Sequence, residues 1–143
     1  MPTLTEILSR RPAVLHSLSA EAPVRDAVRV MAAEGVGAVL VTKGNSLAGI
    51  FTERDLLTRV VARDGDLGRP LGEVMTPDPV TVGPTDTRSH VIEQMRQLNC
   101  RHLPVVVDGK AVDMVSIRDL VFDELRERND EVAELHRYIH QPW

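Results

Sequence analysis

The sequence predicts an α/β (α+β) fold: two tandem β-α-β-β-α units followed by a C-terminal helix. Three observations predict it. Residues 24–57 lie over residues 88–121 without a gap at an offset of 64, setting Met31 on Met95, Val41 on Val105, and Arg54-Asp55-Leu56 on Arg118-Asp119-Leu120. Each copy repeats the same burial pattern: a 3.6-period apolar stripe, an apolar run, a tight turn and a second apolar run. The chain has 143 residues, 43% hydrophobic and 27% charged, enough for a self-sufficient core without disulfides.

In chain order, a short strand opens the first copy at residues 14–18. The stripe Ala27, Val28, Met31 marks a helix. Ala38-Val39-Leu40-Val41 and residues 47–51 read as strands, joined by a turn at Lys43-Gly44-Asn45-Ser46. A helix then starts at Glu53. Residues 63–78 hold Asp64-Gly65-Asp66, Gly68-Arg69-Pro70 and Thr76-Pro77-Asp78-Pro79, a Gly and Pro density that marks a connection rather than a core element. The second copy follows the same order: a strand at 80–82, the stripe Val91, Ile92, Met95, the runs 103–107 and 111–115 around Asp108-Gly109-Lys110, and a helix from Ile117. The chain divides into a first repeat at 1–62, a linker at 63–74, a second repeat at 75–122 and a helical tail at 123–143. The tail's apolar positions Val121, Leu125, Val132, Leu135 and Ile139 favour a surface helix packed on its own domain over an intermolecular helix pair.

Composition excludes several classes of function. Cys100 is the only cysteine, so no internal disulfide forms and a reducing, cytoplasmic location is expected. The N-terminus lacks a basic segment followed by an apolar run, and no apolar stretch approaches the roughly 18 residues of a membrane span. A net charge of −4 and an aromatic content of 3% argue against nucleic acid as a partner.

The most informative stretch is the entry to the last helix of each copy, Thr52-Glu53-Arg54-Asp55 and Ser116-Ile117-Arg118-Asp119. A hydroxyl followed three residues later by a carboxylate resembles a capping box. Two features point beyond a cap. Asp is shorter than the Glu or Gln that the reciprocal box prefers, and an arginine sits in the first helical turn, where the helix dipole disfavours a cation. A bound anion resolves the conflict: free amides at a helix N-terminus attract phosphate, the hydroxyl donates to it, and Arg54 or Arg118 neutralises it. A carboxylate also accepts from both hydroxyls of a ribose. Hydroxyl, arginine and aspartate thus describe the phosphate and ribose of a nucleotide.

Together with Met75-Thr76-Pro77-Asp78-Pro79-Val80-Thr81-Val82 and Arg101-His102-Leu103-Pro104-Val105-Val106, the segment Gly49-Ile50-Phe51-Thr52-Glu53-Arg54-Asp55-Leu56 resembles the tandem domain first named for cystathionine β-synthase, the CBS pair. The resemblance covers nearly the whole chain and extends to the C-terminal helix of small stand-alone bacterial members. It implies two repeats packed about a pseudo-twofold axis, a homodimer, and a regulatory module that binds an adenosine nucleotide, AMP or ATP, between the repeats and signals to a protein target that the sequence does not identify. It implies no obligatory cofactor.

Carried over by position, the phosphate and ribose contacts fall on Thr52 and Asp55 in one site and on Ser116 and Asp119 in the other. The resemblance further implies composite sites. The Ser116 turn is expected to face His16, Val36 and Gly37; the Thr52 turn is expected to face Val80, Cys100 and Arg101. His16 stands where a small apolar residue is usual, and Asp113 replaces the glycine that Gly49 keeps in the first copy. A carboxylate at 113 is expected to repel a polyphosphate, so the Thr52 site is expected to be the tighter one.

Other chemistries find no carrier. His136 and His140 are spaced i, i+4, but no Glu lies between them in a zinc-protease pattern and no further ligand set is near. His102 precedes an apolar run and reads as a packing or hydrogen-bonding histidine. Cys100 reads as a buried, inert thiol. No nucleophile elbow, phosphate loop or dinucleotide fingerprint is present, so the chain reads as a non-enzyme; a ligand-independent dimerisation module is the alternative.

Overall fold

In the computed structural model, which describes residues 2–139, the two halves carry near-identical elements. The first half holds β1 (Ser17–Ser19), α2 (Val24–Glu34), β2 (Ala38–Lys43), β3 (Ser46–Thr52) and α3 (Glu53–Asp55), which continues through a wide π-type turn at Leu56–Val61. The second holds α5 (Arg88–Leu98), β5 (His102–Val107), β6 (Lys110–Ser116) and α6 (Ile117–Ile139). Two short helices, α1 (Leu4–Leu8) and α4 (Leu71–Val74), precede the halves, and β4 (Thr76–Pro77) leads into the second.

Local chemistry repeats with the 64-residue offset. The helix α2 ends on Gly35 in the left-handed region at φ 66°, and α5 ends on Asn99 at φ 53°; both release the chain toward the next strand. Each hairpin carries a bulge at the same place, between Val41 and Thr42 and between Val105 and Val106. The expected opening strand of the first half is β1, parallel to β2. In the second half it shrinks to a single parallel bridge, where the Val82 N–H donates to Pro104 O and the Val106 N–H to Val82 O. Pro104 removes a donor at that edge.

The apolar stripes pack into two cores and a joint. The first core gathers Val24, Ala27 and Met31 of α2 with Val39, Val41 and Phe51. Fully burying a side chain the size of Phe51 contributes about 1.5–3 kcal/mol. The second gathers Val91, Met95, Leu103, Val105, Val115 and Leu120. Ala38, Leu40, Ile50 and Met114 form the joint, where the outer faces of the two hairpins meet.

The segment read as a connection is only partly one. Leu71, Val74 and Met75 are buried in the first core, while Leu4 and Ile7 of α1 are buried in the second. Each half therefore receives its covering helix from the stretch ahead of the other. The exchange continues at the sheet edges: β4 pairs with β3, and the Met114 N–H of β6 donates to Val14 O.

The tail also differs from its expectation. The helix α6 runs unbroken for 23 residues; Glu127 still pairs with Arg88 at 2.6 Å, but the apolar side chains turn away from the body, and Leu125, Val132, Leu135, Tyr138 and Ile139 are 50–77% exposed. It does not pack on its own domain, because the apolar face of the second half is already covered by α1 and α5. His140 lies outside the described residues. Among those described, no helix is long and apolar enough to cross a membrane, and no group of three His, Cys, Asp or Glu is placed to hold a metal ion.

Candidate functional site

Both repeated turns are reciprocal capping boxes. The Asp55 N–H donates to Thr52 Oγ1 at 3.2 Å and the Thr52 N–H donates to Asp55 Oδ2 at 3.0 Å. The Asp119 N–H donates to Ser116 Oγ at 3.2 Å and the Ser116 N–H to Asp119 Oδ2 at 2.9 Å. The shorter acid thus closes the box after all, because an extended cap residue, as at Thr52 with φ −116° and ψ 167°, folds its N–H over the first turn.

The surroundings of the two turns differ. Thr52 borders a cavity of about 450 Å³, also lined by Gly37, Ile50, Glu53, Arg54, Leu57, Thr76, Cys100, Arg101 and His102. Ile50 and Leu57 supply apolar wall, and two guanidinium groups stand at the rim. Arg54 donates to the Asn99 carbonyl across the mouth, joining the two halves. Gly37 is held against the turn, with its carbonyl accepting the Glu53 N–H at 3.0 Å. A Cβ on Gly37 would sit 2.7 Å from Glu53 Oε1, the end of a flexible side chain, and 3.0 Å from His102 Cε1, so a side chain here would displace both from the wall.

Burial lowers the His102 pKa below its ordinary value of about 6.5; the charges of Glu53 and Asp119 oppose this, and Arg101 adds to it. Burial raises the pKa of the Cys100 thiol, against a backbone hydrogen bond at His102 and the Arg54 charge, so the group stays a thiol at neutral pH.

Asp55 lies behind this wall. It is 5% exposed, accepts from the Thr52 N–H and from Thr76 Oγ1 at 3.1 and 3.3 Å, and is ion-paired with Arg59, whose Nε lies 3.4 Å away. The side chain on the cavity surface is Thr76, from the chain that crosses over from the second half.

At the second turn an arginine occupies the carboxylate. Arg11 Nε and Nη2 donate to Asp119 Oδ1 and Oδ2 at 3.1 and 3.0 Å. Its Nη1 donates to Asp113 at 3.2 and 3.3 Å and to Pro12 O at 2.9 Å, and Nη2 also reaches Met114 O at 3.0 Å. Burial disfavours the Arg11 charge, but hydrogen bonds and attraction from Asp119 and Asp113 outweigh burial and raise its pKa.

The structure therefore changes the reading of Asp113. Its carboxylate is buried, paired with Arg11, and accepts the Val14 N–H at 3.0 Å, so it is not a loose charge that repels a ligand. Arg118 stacks over Phe122 of its own helix, 5.6 Å from the ring centroid.

Of the expected composite contacts, Cys100 and Arg101 do line the Thr52 cavity, whereas Val80 is not in its lining and stands 42% exposed. Gly37, expected opposite Ser116, lines the Thr52 cavity instead, because β2 and β3 are hairpin partners and bring Gly37 to the end of β3. Val36 packs against the first core, and the His16 carbonyl accepts the Leu40 N–H in the β1–β2 pairing. Sequence reasoning did not single out Arg11 or Thr76 as site residues. The repeat offset held the signal, since 64 residues separate Arg11 from Met75 and Asp113 from Gly49.

The cavity lies between two repeats, bordered by a capped helix start and rimmed by arginines, so the molecule is a paired-repeat protein with an inter-repeat site. The CBS domain profile matches residues 4–62 and 71–124, and the chain belongs to the CBS domain family. The chain is 34% identical over 122 residues to a mitochondrial CBS domain-containing protein of Arabidopsis thaliana, a match spanning 81% of this chain and 59% of the relative. Other Arabidopsis CBS domain-containing relatives are much longer, and the match spans 19% of their length.

Among solved structures, a CBS-domain containing protein from Agrobacterium tumefaciens superposes with a TM-score of 0.81 at 27% identity, covering 86% of this chain and 99% of that one. A CBS domain protein from Pyrobaculum aerophilum, solved in complex with AMP, superposes with a TM-score of 0.74 at 32% identity, covering 82% and 89%.

Proposed function

We propose that this chain is a regulatory, non-catalytic module that binds an adenosine nucleotide, AMP or ATP, in the cavity beside Thr52. The observation that carries the reading is the cavity itself. It combines apolar wall from Ile50 and Leu57 for a base, two arginines for phosphate, and a capped helix start with the Thr52 hydroxyl. The AMP complex of the Pyrobaculum aerophilum relative at 32% identity supports it. In this reading Arg54 and Arg101 neutralise the phosphate. A ribose hydroxyl reaches Asp55 by taking the place of the Thr76 hydroxyl, and Thr76 is carried on the strand that crosses from the other half. Ligand binding at that seam shifts the balance between arrangements of the two halves, which a partner protein reads.

The second element of the proposal is a homodimer. The exposed apolar side chains Leu57 and Val61 after α3, and Phe122, Leu125, Leu135 and Ile139 along α6, are 50–62% exposed. Large apolar side chains left this open are suited to contact with a second copy, which covers them in this reading. A thermal-shift panel over AMP, ADP, ATP, NAD and S-adenosylmethionine tests the ligand. A native-state binder raises the melting temperature with concentration, and Arg54→Ala reduces the effect at least tenfold in concentration. No shift from any adenosyl ligand contradicts the reading and favours a ligand-independent dimerisation module.

A further inference from the structure

The two halves treat equivalent positions in opposite ways. In the first, Gly49 lies against Met75 and Thr76: a Cβ at 49 would be 2.5 Å from Met75 Sδ and 2.6 Å from Thr76 O. In the second, the same offset sets Asp113 against Arg11 and Pro12. The helix acid of the first half draws its cation from its own helix, Arg59 at 3.4 Å. The residue 64 positions on, Asp123, is instead an acid tied to Arg10 and Arg88 at 2.5 and 2.8 Å. The cation for Asp119 therefore comes from the N-terminal strap, which Arg10 on Asp123 and the Val14 N–H on Asp113 pin at two further points.

Arg11 finds acceptors for its five N–H donors: two oxygens of Asp119, the Asp113 carboxylate, and the Pro12 and Met114 carbonyls. A planar fork on both oxygens of Asp119 uses the carboxylate edge that two vicinal hydroxyls of a sugar would need.

We infer that Arg11 is an internal ligand that closes the second cleft, so that the chain takes one adenosine nucleotide, beside Thr52, and not two. Asp113 is the residue that holds the plug in place. This rests on the nucleotide reading of the first cleft for its ligand, and on the Arg11 contacts alone for the closure.

The test transplants the first-half pair into the second half. Calorimetric titration with AMP is expected to give one nucleotide per chain for the wild type and two for the double variant Arg11→Met, Asp113→Gly. A folded double variant that still takes one, or a wild type that takes two, overturns the inference. A second measurement needs no nucleotide: melting temperatures of Arg11→Met, Asp119→Asn and their combination. A clamp makes the combined loss smaller than the sum of the single losses by about 3 °C. Additive losses overturn the closure. If AMP binds neither protein, the reading of the first cleft falls, and this cycle still decides whether Arg11 is bound to Asp119.

Discussion

Asp55→Ala acts first on the fold. The carboxylate is 5% exposed and accepts one backbone N–H, one hydroxyl and a long contact from Arg59. Alanine leaves the Thr52 N–H without its acceptor, at about 1–3 kcal/mol, whereas the Thr76 hydroxyl, on the cavity surface, turns to water and adds little. It also removes one side of a helix cap, a loss of about 1 kcal/mol that overlaps with the first. Arg59 is 44% exposed at its side chain, and its pairing adds little.

The sum is on the order of 2–4 kcal/mol, which lowers the melting temperature of a chain this size by about 6–12 °C. Asp119→Ala costs less, about 1–2 kcal/mol, because Asp119 is 22% exposed at its side chain and Arg11 keeps its pairing to Asp113. Calorimetric melting of both variants at neutral pH reads the difference. An Asp55 variant that melts within 2 °C of the wild type, or above the Asp119 variant, refutes the argument from buried acceptors.

Gly49→Ala is expected to destabilise by about 1–3 kcal/mol, since its Cβ would meet the Thr76 carbonyl at 2.6 Å and backbone cannot swing aside; chemical denaturation measures it. Stability is expected to fall as pH drops through about 6.5, because the half-buried His102 binds its proton less readily folded than unfolded, and the loss is complete below its lowered folded pKa. His102→Gln flattens that window in a pH series of melts. Leu135→Glu with Ile139→Glu is expected to convert the dimer to monomer in light scattering; an unchanged mass places the interface elsewhere.

Element order was legible in the sequence because period and turn chemistry repeat: the offset that aligns Val41 with Val105 also aligns two bulges and the helix ends at Gly35 and Asn99. Features that depend on distant pairing were not. Leu71 and Leu4 lie in short helices beside Gly and Pro, and nothing local reveals that each covers the other half's core. Asp113 looked like an open charge, since its partner Arg11 is 102 residues away. The tail stripe predicts a helix packed on its own domain, but periodicity alone does not say which surface it meets, and the stripe stands exposed. The capping residues were recognised for their chemistry, but chain direction at the end of β3, and not spacing, decides that Gly37 stands beside Thr52.

Backbone amide resonances followed during AMP titration give the most direct test, because they report on both turns in one experiment. Shifts that saturate at Gly37, Thr52, Glu53, Arg54 and Arg101, while Ser116 to Asp119 stay in place, are the predicted result. Shifts centred on Ser116 and Asp119, or none near Thr52, contradict it.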